Sequence, residues 1–211
     1  MTLLEATVVM VVVSLLTAAV APSASRTFDR VRHARAIEDA EAIKAAVRVF
    51  RTELPGYSGF VTNGGATGNP TVELLVSDGD APAEAGAGGD IRWRSPAALA
   101  PGPGFVVTDF LENHLVANNP FGGAATDAYS LGGVNAWRGA YISAPVDPDP
   151  WGNRYAVNTK WMRDADTDTD VVVLSAGPNE GIDTPFAADG VAAGDDDVMV
   201  VVHRANDVTV P

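Results

Sequence analysis

An apolar run opens the chain. From residue 6 to residue 21, every side chain is apolar except Thr7, Ser14 and Thr17. The run is too long for one β-strand, which usually has about 3–10 residues. It approaches the roughly 20 residues with which a helix crosses a bilayer. We therefore predict a membrane helix over this segment.

A second helical pattern follows Pro22, where apolar residues recur at steps of three and four, the period of a helix with one buried face. The pattern ends at the stop signal Leu54-Pro55-Gly56. One helix from about residue 2 to residue 53 would be roughly 80 Å long at a rise of 1.5 Å per residue. Pro22 removes one backbone hydrogen bond, so we expect a kink or local melting there. The apolar positions are Ile37, Ala40, Ile43, Val47, Phe50 and Leu54.

The rest of the chain predicts short strands joined by long connections. Strands are expected to start at Tyr155 and to cover residues 170–174 and 198–202, because valine dominates these segments. Residues 56–105 are rich in Gly, Ala, Pro and Asp. This composition is typical of loops, so we expect irregular structure packed over the helix, with at most a short hairpin.

Charge divides the chain, which has 211 residues and a net charge of −13. Residues 1–25 contain Glu5 as their single ionisable side chain, whereas residues 26–53 contain seven basic and five acidic ones. Residues 54–211 contain seven basic and 21 acidic side chains. Because nucleic-acid binding relies on Lys and Arg contacts with phosphates, the acidic body argues against a nucleic-acid partner.

The residue inventory argues against an enzyme. The chain has no cysteine, which excludes a disulfide scaffold, a thiolate metal site and a cysteine nucleophile. No nucleophile elbow, phosphate loop or dinucleotide fingerprint occurs. The three histidines lie too far apart in sequence for a His-x-x-x-His metal motif. We predict that one of them, His114, is structural or at the surface, on a short helix between Thr108 and Val116.

Glu5 is the anomaly of the apolar run. A carboxylate in lipid costs a few kcal/mol unless it is paired. Glu5 either lies at the membrane interface or meets a fixed positive charge. The nearest cation is the α-amino group of Met1, on the same chain or on a copy, because residues 1 and 5 are neighbours on a helix.

The segment Met1-Thr2-Leu3-Leu4-Glu5, the apolar run, Pro22 and the charged amphipathic helix together resemble the mature N-terminus of type IV pilins and pseudopilins. The resemblance implies that a prepilin peptidase removes a basic leader and that the new N-terminus, Met1, is methylated. It also implies that Glu5 neutralises the amine of a neighbouring subunit while an inner-membrane platform assembles a helical homopolymer. The body would then lie outside the inner membrane.

A second resemblance lies in the C-terminal third of the chain. Two segments, Trp137 to Tyr141 and Asp149 to Tyr155, look like motifs of the major pseudopilins of type II secretion. Asp-Pro-x-Gly-Asn is turn chemistry, since Pro sets φ and Gly or Asn accepts a positive φ. We expect a hairpin turn with core aromatic residues and no catalysis. The motif residues are Trp137, Tyr141, Asp149, Pro150, Trp151, Gly152, Asn153 and Tyr155.

In major pseudopilins, a loop and a later acidic pair bind one calcium ion. The resemblance therefore implies one calcium site here, built from oxygen ligands; otherwise these residues form a solvated acidic turn. Aspartates alternate with other residues from Asp164 to Asp170. The segment does not match an EF-hand, because Thr169 stands where that motif has Gly and Ser175 stands where it has Glu. We predict a solvated hairpin tip or a weak cation site there. The implied calcium residues are Ala176 (backbone carbonyl), Asn179, Asp183, Asp196 and Asp197.

The expected fold is α+β, with a long N-terminal helix packed on a small antiparallel sheet of three to five strands, in a pilin-like lollipop shape. Residues 1–25 would form the transmembrane and filament-core half of the helix, and residues 26–54 its amphipathic half. Residues 55–136 would form a variable loop region, and residues 137–211 a pseudopilin-like head.

We predict a structural subunit that polymerises into a type IV pilus-like filament through its N-terminal helices. The protein would reside in the inner membrane before assembly and then in an extracellular filament or a periplasmic pseudopilus. The alternatives are a major pseudopilin of a type II secretion system and a monomeric, membrane-tethered, calcium-dependent binding domain.

Overall fold

A computed structural model shows an α+β chain with a long N-terminal helix and a five-stranded mixed sheet. The structure describes residues 2–57, 59–62, 71–84, 90–97, 103–123, 125–143, 145–162, 169–187, 190 and 192–204, without the side chains of residues 19–24 and 84.

Helix α1 (Leu3–Glu53) forms one continuous element through residue 22. At 1.5 Å per residue, its 51 residues extend about 77 Å. The described side chains from residue 3 to residue 35 are exposed, and burial begins at Ala36. Ile37, which the periodicity placed in the core, is 41% exposed, because the buried face is centred one residue earlier. The other positions of the predicted apolar stripe are buried as expected; they are Ala40, Ile43, Val47, Phe50 and Leu54.

The main sheet has five strands: β1 (Leu74–Val76), β3 (Thr108–Phe110), β4 (Ala156–Val157), β5 (Val171–Ser175) and β7 (Val198–His203). Their order in the sheet is β3-β1-β4-β5-β7. Strands β1 and β3 are parallel, and the other neighbouring pairs are antiparallel. The sheet is therefore mixed rather than wholly antiparallel as expected.

The head also contains two short strands outside the main sheet and a short α-helix. Strand β2 (Ala83–Glu84) pairs in parallel with β6 (Gly181–Ile182) in a separate two-stranded sheet. Helix α2 (Leu111–Leu115) follows β3 directly, at the position predicted around His114. His114 is fully buried, so its role is structural and not that of a surface residue.

The burial patterns explain the valine-rich segments. All five residues of β5 are buried, as a strand covered on both faces requires. In β7, buried and half-buried residues alternate, as in an edge strand with one inward face. Helix α1 packs against both strands.

The Gly/Ala/Pro-rich region supplies strand β1, which lies inside the sheet between β3 and β4. All three residues of β1 are buried. The expectation of irregular structure for residues 56–105 is thus wrong at residues 74–76. The local composition did not reveal the strand, because its partners β3 and β4 lie about 30 and 80 residues further along the chain.

Candidate functional site

Helix α1 begins with a capping box. Thr2 is the N-cap, its N–H donates to Glu5 Oε2 at 2.9 Å, and the Glu5 N–H donates to Thr2 Oγ1 at 3.3 Å. This reciprocal pair satisfies two donors that a helix start otherwise leaves free. The signal, a Thr three residues before a Glu, was present in the sequence and missed. Met1 lies outside the described residues, so its pairing with Glu5 stays a prediction.

The three hydroxyl residues of the apolar run are satisfied within the helix. Thr7, Ser14 and Thr17 each donate to the backbone carbonyl four residues earlier, at 2.8, 2.8 and 2.9 Å. Such back-bonding removes the cost of transferring a free hydroxyl to an apolar environment. From residue 6 to residue 18, the outer surface of α1 is therefore apolar.

Large apolar side chains cover the first four turns of α1 and remain exposed. Leu3 is 89% exposed and Met10 is 74% exposed. Fully burying one such side chain yields about 1.5–3 kcal/mol, so covering the group favours association by on the order of 10 kcal/mol or more. The exposed group comprises Leu3, Leu4, Val8, Val9, Met10, Val11, Val12, Val13, Leu15 and Leu16.

Within the described residues, no helix combines the length and the apolarity that are needed to cross a bilayer. The backbone at Pro22 belongs to α1, and its side chain is among those not described.

The Asp-Pro-Trp-Gly-Asn segment forms a closed turn around the carboxylate of Asp149. Asp149 Oδ1 accepts the N–H groups of Trp151 and Asn153, both at 2.9 Å, while its Oδ2 accepts the Ser175 hydroxyl at 2.6 Å. Gly152 has a φ of +100°, a conformation that favours glycine. Pro150 is half-buried at the start of the turn. The turn thereby joins the region before β4 to the end of β5.

Two tyrosines, one from each of the segments 137–141 and 149–155, connect the head to α1. The Tyr155 hydroxyl donates to Asp39 Oδ2 at 3.1 Å, and the Tyr141 hydroxyl donates to Glu53 Oε2 at 2.9 Å. Burial, together with the bond to Glu53, raises the pKa of Tyr141 to about 12, so its hydroxyl stays a donor at neutral pH.

The two motif tryptophans occupy different environments. Trp137 packs at the edge of the core and donates from Nε1 to the His114 carbonyl at 2.9 Å. Its ring also meets Tyr141 edge to face, at 5.7 Å between centroids. Trp151 is half-buried in the turn. The motif residues thus lie around the joint between head and helix, and none of the described contacts forms a nucleophile–base pair.

Three carboxylates converge in the loop between β5 and β7. Asp183, Asp195 and Asp196 each place an oxygen within 4.8 Å of the others. Asp195 was missed by the sequence analysis, which had counted Asp196 and Asp197 as the acidic pair. Residue 195 has a φ of +20°, and only the folded backbone brings it beside Asp183. We call these three residues the acidic triad.

Other residues implied for calcium have different roles in the structure. Asn179 Oδ1 accepts the Gly181 N–H at 2.7 Å, so this oxygen is already bonded. Asp197 Oδ2 accepts the N–H groups of Asp183 and Thr184 at 3.1 and 2.8 Å. Burial raises the pKa of Asp197. These contacts make Asp197 an anchor of the loop. Ala176 is fully buried.

The donor chemistry of the acidic triad fits a hard divalent cation. Carboxylate oxygens are the ligands that such cations prefer. Asp196 Oδ1 is buried, and it has no hydrogen-bond partner in the part of the chain that the structure describes. An orphaned buried carboxylate oxygen is costly unless a cation or water meets it.

The predicted acidic tip at residues 164–170 lies mostly outside the described residues. Its last member, Asp170, is buried and not solvated. Its backbone carbonyl accepts from the Asn158 amide at 2.9 Å, and its carboxylate lies 3.9 Å from Arg204 Nη1. Asp170 therefore lies directly before the buried strand β5.

Comparisons of the chain with family models, curated proteins and solved structures find no significant match.

Proposed function

We propose that this protein is a structural subunit that polymerises through its N-terminal helix into a type IV pilus-like filament. The observation that carries the proposal is the exposed apolar half of α1, which is joined without a break to a helix half that is packed into a folded head. A surface of this size and apolarity is unstable in water and requires partners. Equivalent helices of other copies supply a partner of the same length.

In the proposed filament, the subunit has a pilin-like lollipop shape, with the heads outside and the apolar halves of α1 in the core. Strands β4, β5 and β7 form the antiparallel part that corresponds to a pilin head. Before assembly, subunits would be held in the inner membrane, where a peptidase and a platform process and add them. These steps come from the resemblance at the N-terminus.

Glu5 would have two partners in the filament. One carboxylate oxygen, Oε2, accepts the Thr2 N–H of its own chain. Among the described residues, Oε1 has no hydrogen-bond partner, so it is free to meet the terminal amine of a neighbouring Met1. This division gives Glu5 a local role in capping and an intermolecular role in compensating charge within an apolar core.

Variants at residues 2 and 5 separate these two roles. Glu5→Gln keeps a capping-box acceptor but removes the negative charge. Thr2→Ala weakens the cap, at a cost of about 1 kcal/mol, and leaves the charge. If Glu5 pairs with a neighbouring amine, Glu5→Gln abolishes filaments while Thr2→Ala retains most of them. The readout is negative-stain electron microscopy of material sheared from cells expressing the full chain. Filaments of normal yield from Glu5→Gln would overturn the charge-pairing role.

The major pseudopilin of a type II secretion system is the second candidate, favoured by the turn around Asp149 and its aromatic neighbours. Long sheared fibres support a displayed filament, whereas membrane-retained protein with short or no fibres supports the pseudopilus. The acidic triad favours a third candidate, a monomeric tethered domain with a divalent cation. Removal of residues 1–25 distinguishes it, since a binding domain would keep its ligand affinity.

A further inference from the structure

A short basic segment separates the two halves of α1. Residues 26–35, which we call the neck, contain four arginines and one aspartate, a net charge of +3 in a chain of net charge −13. All ten of these residues are exposed. The neck follows the apolar half directly and precedes Ala36, the first buried residue of α1.

One neck arginine already pairs with the head of its own chain. Arg35 lies 3.5 Å from Asp39 and 3.8 Å from Asp147, an aspartate before strand β4. In the described part of the chain, no ion pair involves the other three arginines of the neck. They are Arg26, Arg30 and Arg32.

The acidic triad lies at the end of the sheet that faces the neck. The loop that carries it leaves β5 at Ser175 and enters β7 at Val198, which are paired in the sheet. Ser175 donates to Asp149 at 2.6 Å. Asp147, two residues before Asp149, is the partner of neck residue Arg35. In every copy, the positively charged neck and the negatively charged acidic triad therefore lie at different positions along the axis of α1, with the neck nearer to the N-terminus of the helix.

This offset suits two parallel copies displaced along the helix axis. The centre of the neck, near residue 30, is about nine residues from Asp39, which bonds to Tyr155 at the neck-facing end of the sheet. At 1.5 Å per residue, this separation is roughly 14 Å. A displacement of that size brings the neck of one copy beside the head of another. Each contact then uses different surfaces on the two copies, which is the kind of contact that generates a helical polymer.

We propose that Arg26, Arg30 and Arg32 of one copy dock on the acidic head surface of a second copy, at and around the acidic triad. This inference rests on the proposed function and adds the contact that sets the axial offset between subunits. Complementary charges fix register and orientation more than they add affinity. Because the groups are exposed, salt weakens the contact over a screening length of about 10 Å at 0.1 M.

The absence of cysteine from the chain allows a direct test. Arg30→Cys and Asp195→Cys are introduced together into the full chain, and filaments are oxidised with chelator present so that no divalent cation competes for the triad. The expected result is a ladder of disulfide-linked multimers on a denaturing gel. The control pair, Glu53→Cys with Asp195→Cys, has its helix cysteine at the far end of α1 and should give no ladder.

Charge variants complete the test. Replacing all three free neck arginines by Gln should raise the concentration needed for assembly about tenfold at low salt, the combined effect of three exposed ion pairs. The difference should vanish at 0.5 M salt. The exchange Arg30→Glu with Asp195→Arg should recover part of the assembly that Arg30→Glu alone loses.

The outcomes separate this inference from the proposed function. Wild-type filaments, no ladder from the Arg30→Cys, Asp195→Cys chain and no response to the neck substitutions together overturn neck docking and leave the filament proposal standing. Failure of the wild-type chain to assemble overturns both. Normal filaments from the Gln variant, with reduced co-sedimentation on anionic phosphatidylglycerol vesicles, assign the neck to lipid head groups and overturn docking on a second copy.

Discussion

His114 Nε2 lies 2.8 Å from Asp109 Oδ2, and neither side chain is exposed to solvent. The other imidazole nitrogen, Nδ1, lies 2.7 Å from the hydroxyl of Tyr129. Asp109 also accepts the N–H groups of Phe110 and Phe121, at 2.8 and 2.6 Å. This buried network connects β3 and α2 to the connection that follows them, and it fixes a region with little regular secondary structure.

We predict that Asp109→Asn lowers the free energy of unfolding by about 3 kcal/mol, because an amide nitrogen replaces an acceptor that faces buried donors. Urea denaturation followed by tryptophan fluorescence measures the change. The matched control is Asp147→Asn, whose side chain is 81% exposed in its ion pair with Arg35 and should cost less than about 1 kcal/mol. If both variants lower the free energy of unfolding by the same amount, burial of the Asp109–His114 pair does not contribute to stability.

Two glycines with the same backbone conformation test the packing of the acidic loop. Gly177 and Gly190 have φ values of +66° and +61°, so alanine pays a similar conformational cost, about 1 kcal/mol, at both. A Cβ at Gly177 would lie 2.2 Å from the Asp196 carbonyl oxygen, whereas no described atom lies within 4 Å of one at Gly190. We expect Gly177→Ala to destabilise the chain by at least about 2 kcal/mol more than Gly190→Ala, as measured by urea denaturation. A difference close to zero would mean that residues 177 and 196 separate at little cost.

The effect of Asp195→Asn on thermal stability should depend on whether a divalent cation is present. Without a cation its carboxylates repel, so Asp195→Asn should raise Tm in chelator, by about 2 °C for a domain of this size. With calcium present, the wild-type chain should gain stability by mass action and the variant should gain less. Thermal melts in chelator and in calcium check both results.

The control for the triad is Glu180→Gln, an exposed residue of the same loop outside the triad. It should leave the response to calcium unchanged. If Asp195→Asn gains as much from calcium as the wild-type chain does, the triad does not bind the ion.

A pH series tests the ion pair between Asp90 and Arg92, which lies next to the buried Trp93. Partial burial acts to raise the pKa of Asp90, but hydrogen bonds from the Arg92 side chain and backbone outweigh it and hold the pKa below its usual value of 3.8. A carboxyl with a lowered folded-state pKa stabilises the fold above that value and loses its effect as pH falls through the folded pKa. Asp90→Asn should therefore reduce stability at pH 7, and the difference from wild type should shrink towards pH 2. Urea titrations at the two pH values measure this difference, and a constant gap would assign the effect to geometry and not to charge.

Part of this architecture could be read from local pattern. The apolar run and the stripe from Ala40 to Leu54 predicted a helix that the structure gives as Leu3–Glu53. The valine-rich segments predicted β5 and β7. Both signals are contained within short stretches of sequence, so no distant contact is needed to recognise them. The capping box of Thr2 and Glu5 was equally local and was overlooked.

Other features could not be predicted because they depend on residues far apart in sequence. Strand β1 has a loop-like neighbourhood and becomes a strand through its partners β3 and β4. The acidic segment before β7 offered three consecutive aspartates, residues 195–197. Tertiary structure decided that Asp195 and Asp196 meet Asp183 while Asp197 turns inward to Thr184.

Local sequence was enough to predict the long helix, its apolar and charged halves, and the valine-rich strands, because side-chain pattern and turn chemistry act between near neighbours. The start of the core on α1, at Ala36 rather than Ile37, depends instead on long-range packing. That packing also decided which carboxylates converge and which end of the sheet faces the neck. These outcomes depend on how the long connections close, and closure is selected by the packing of the whole core and not by any single segment.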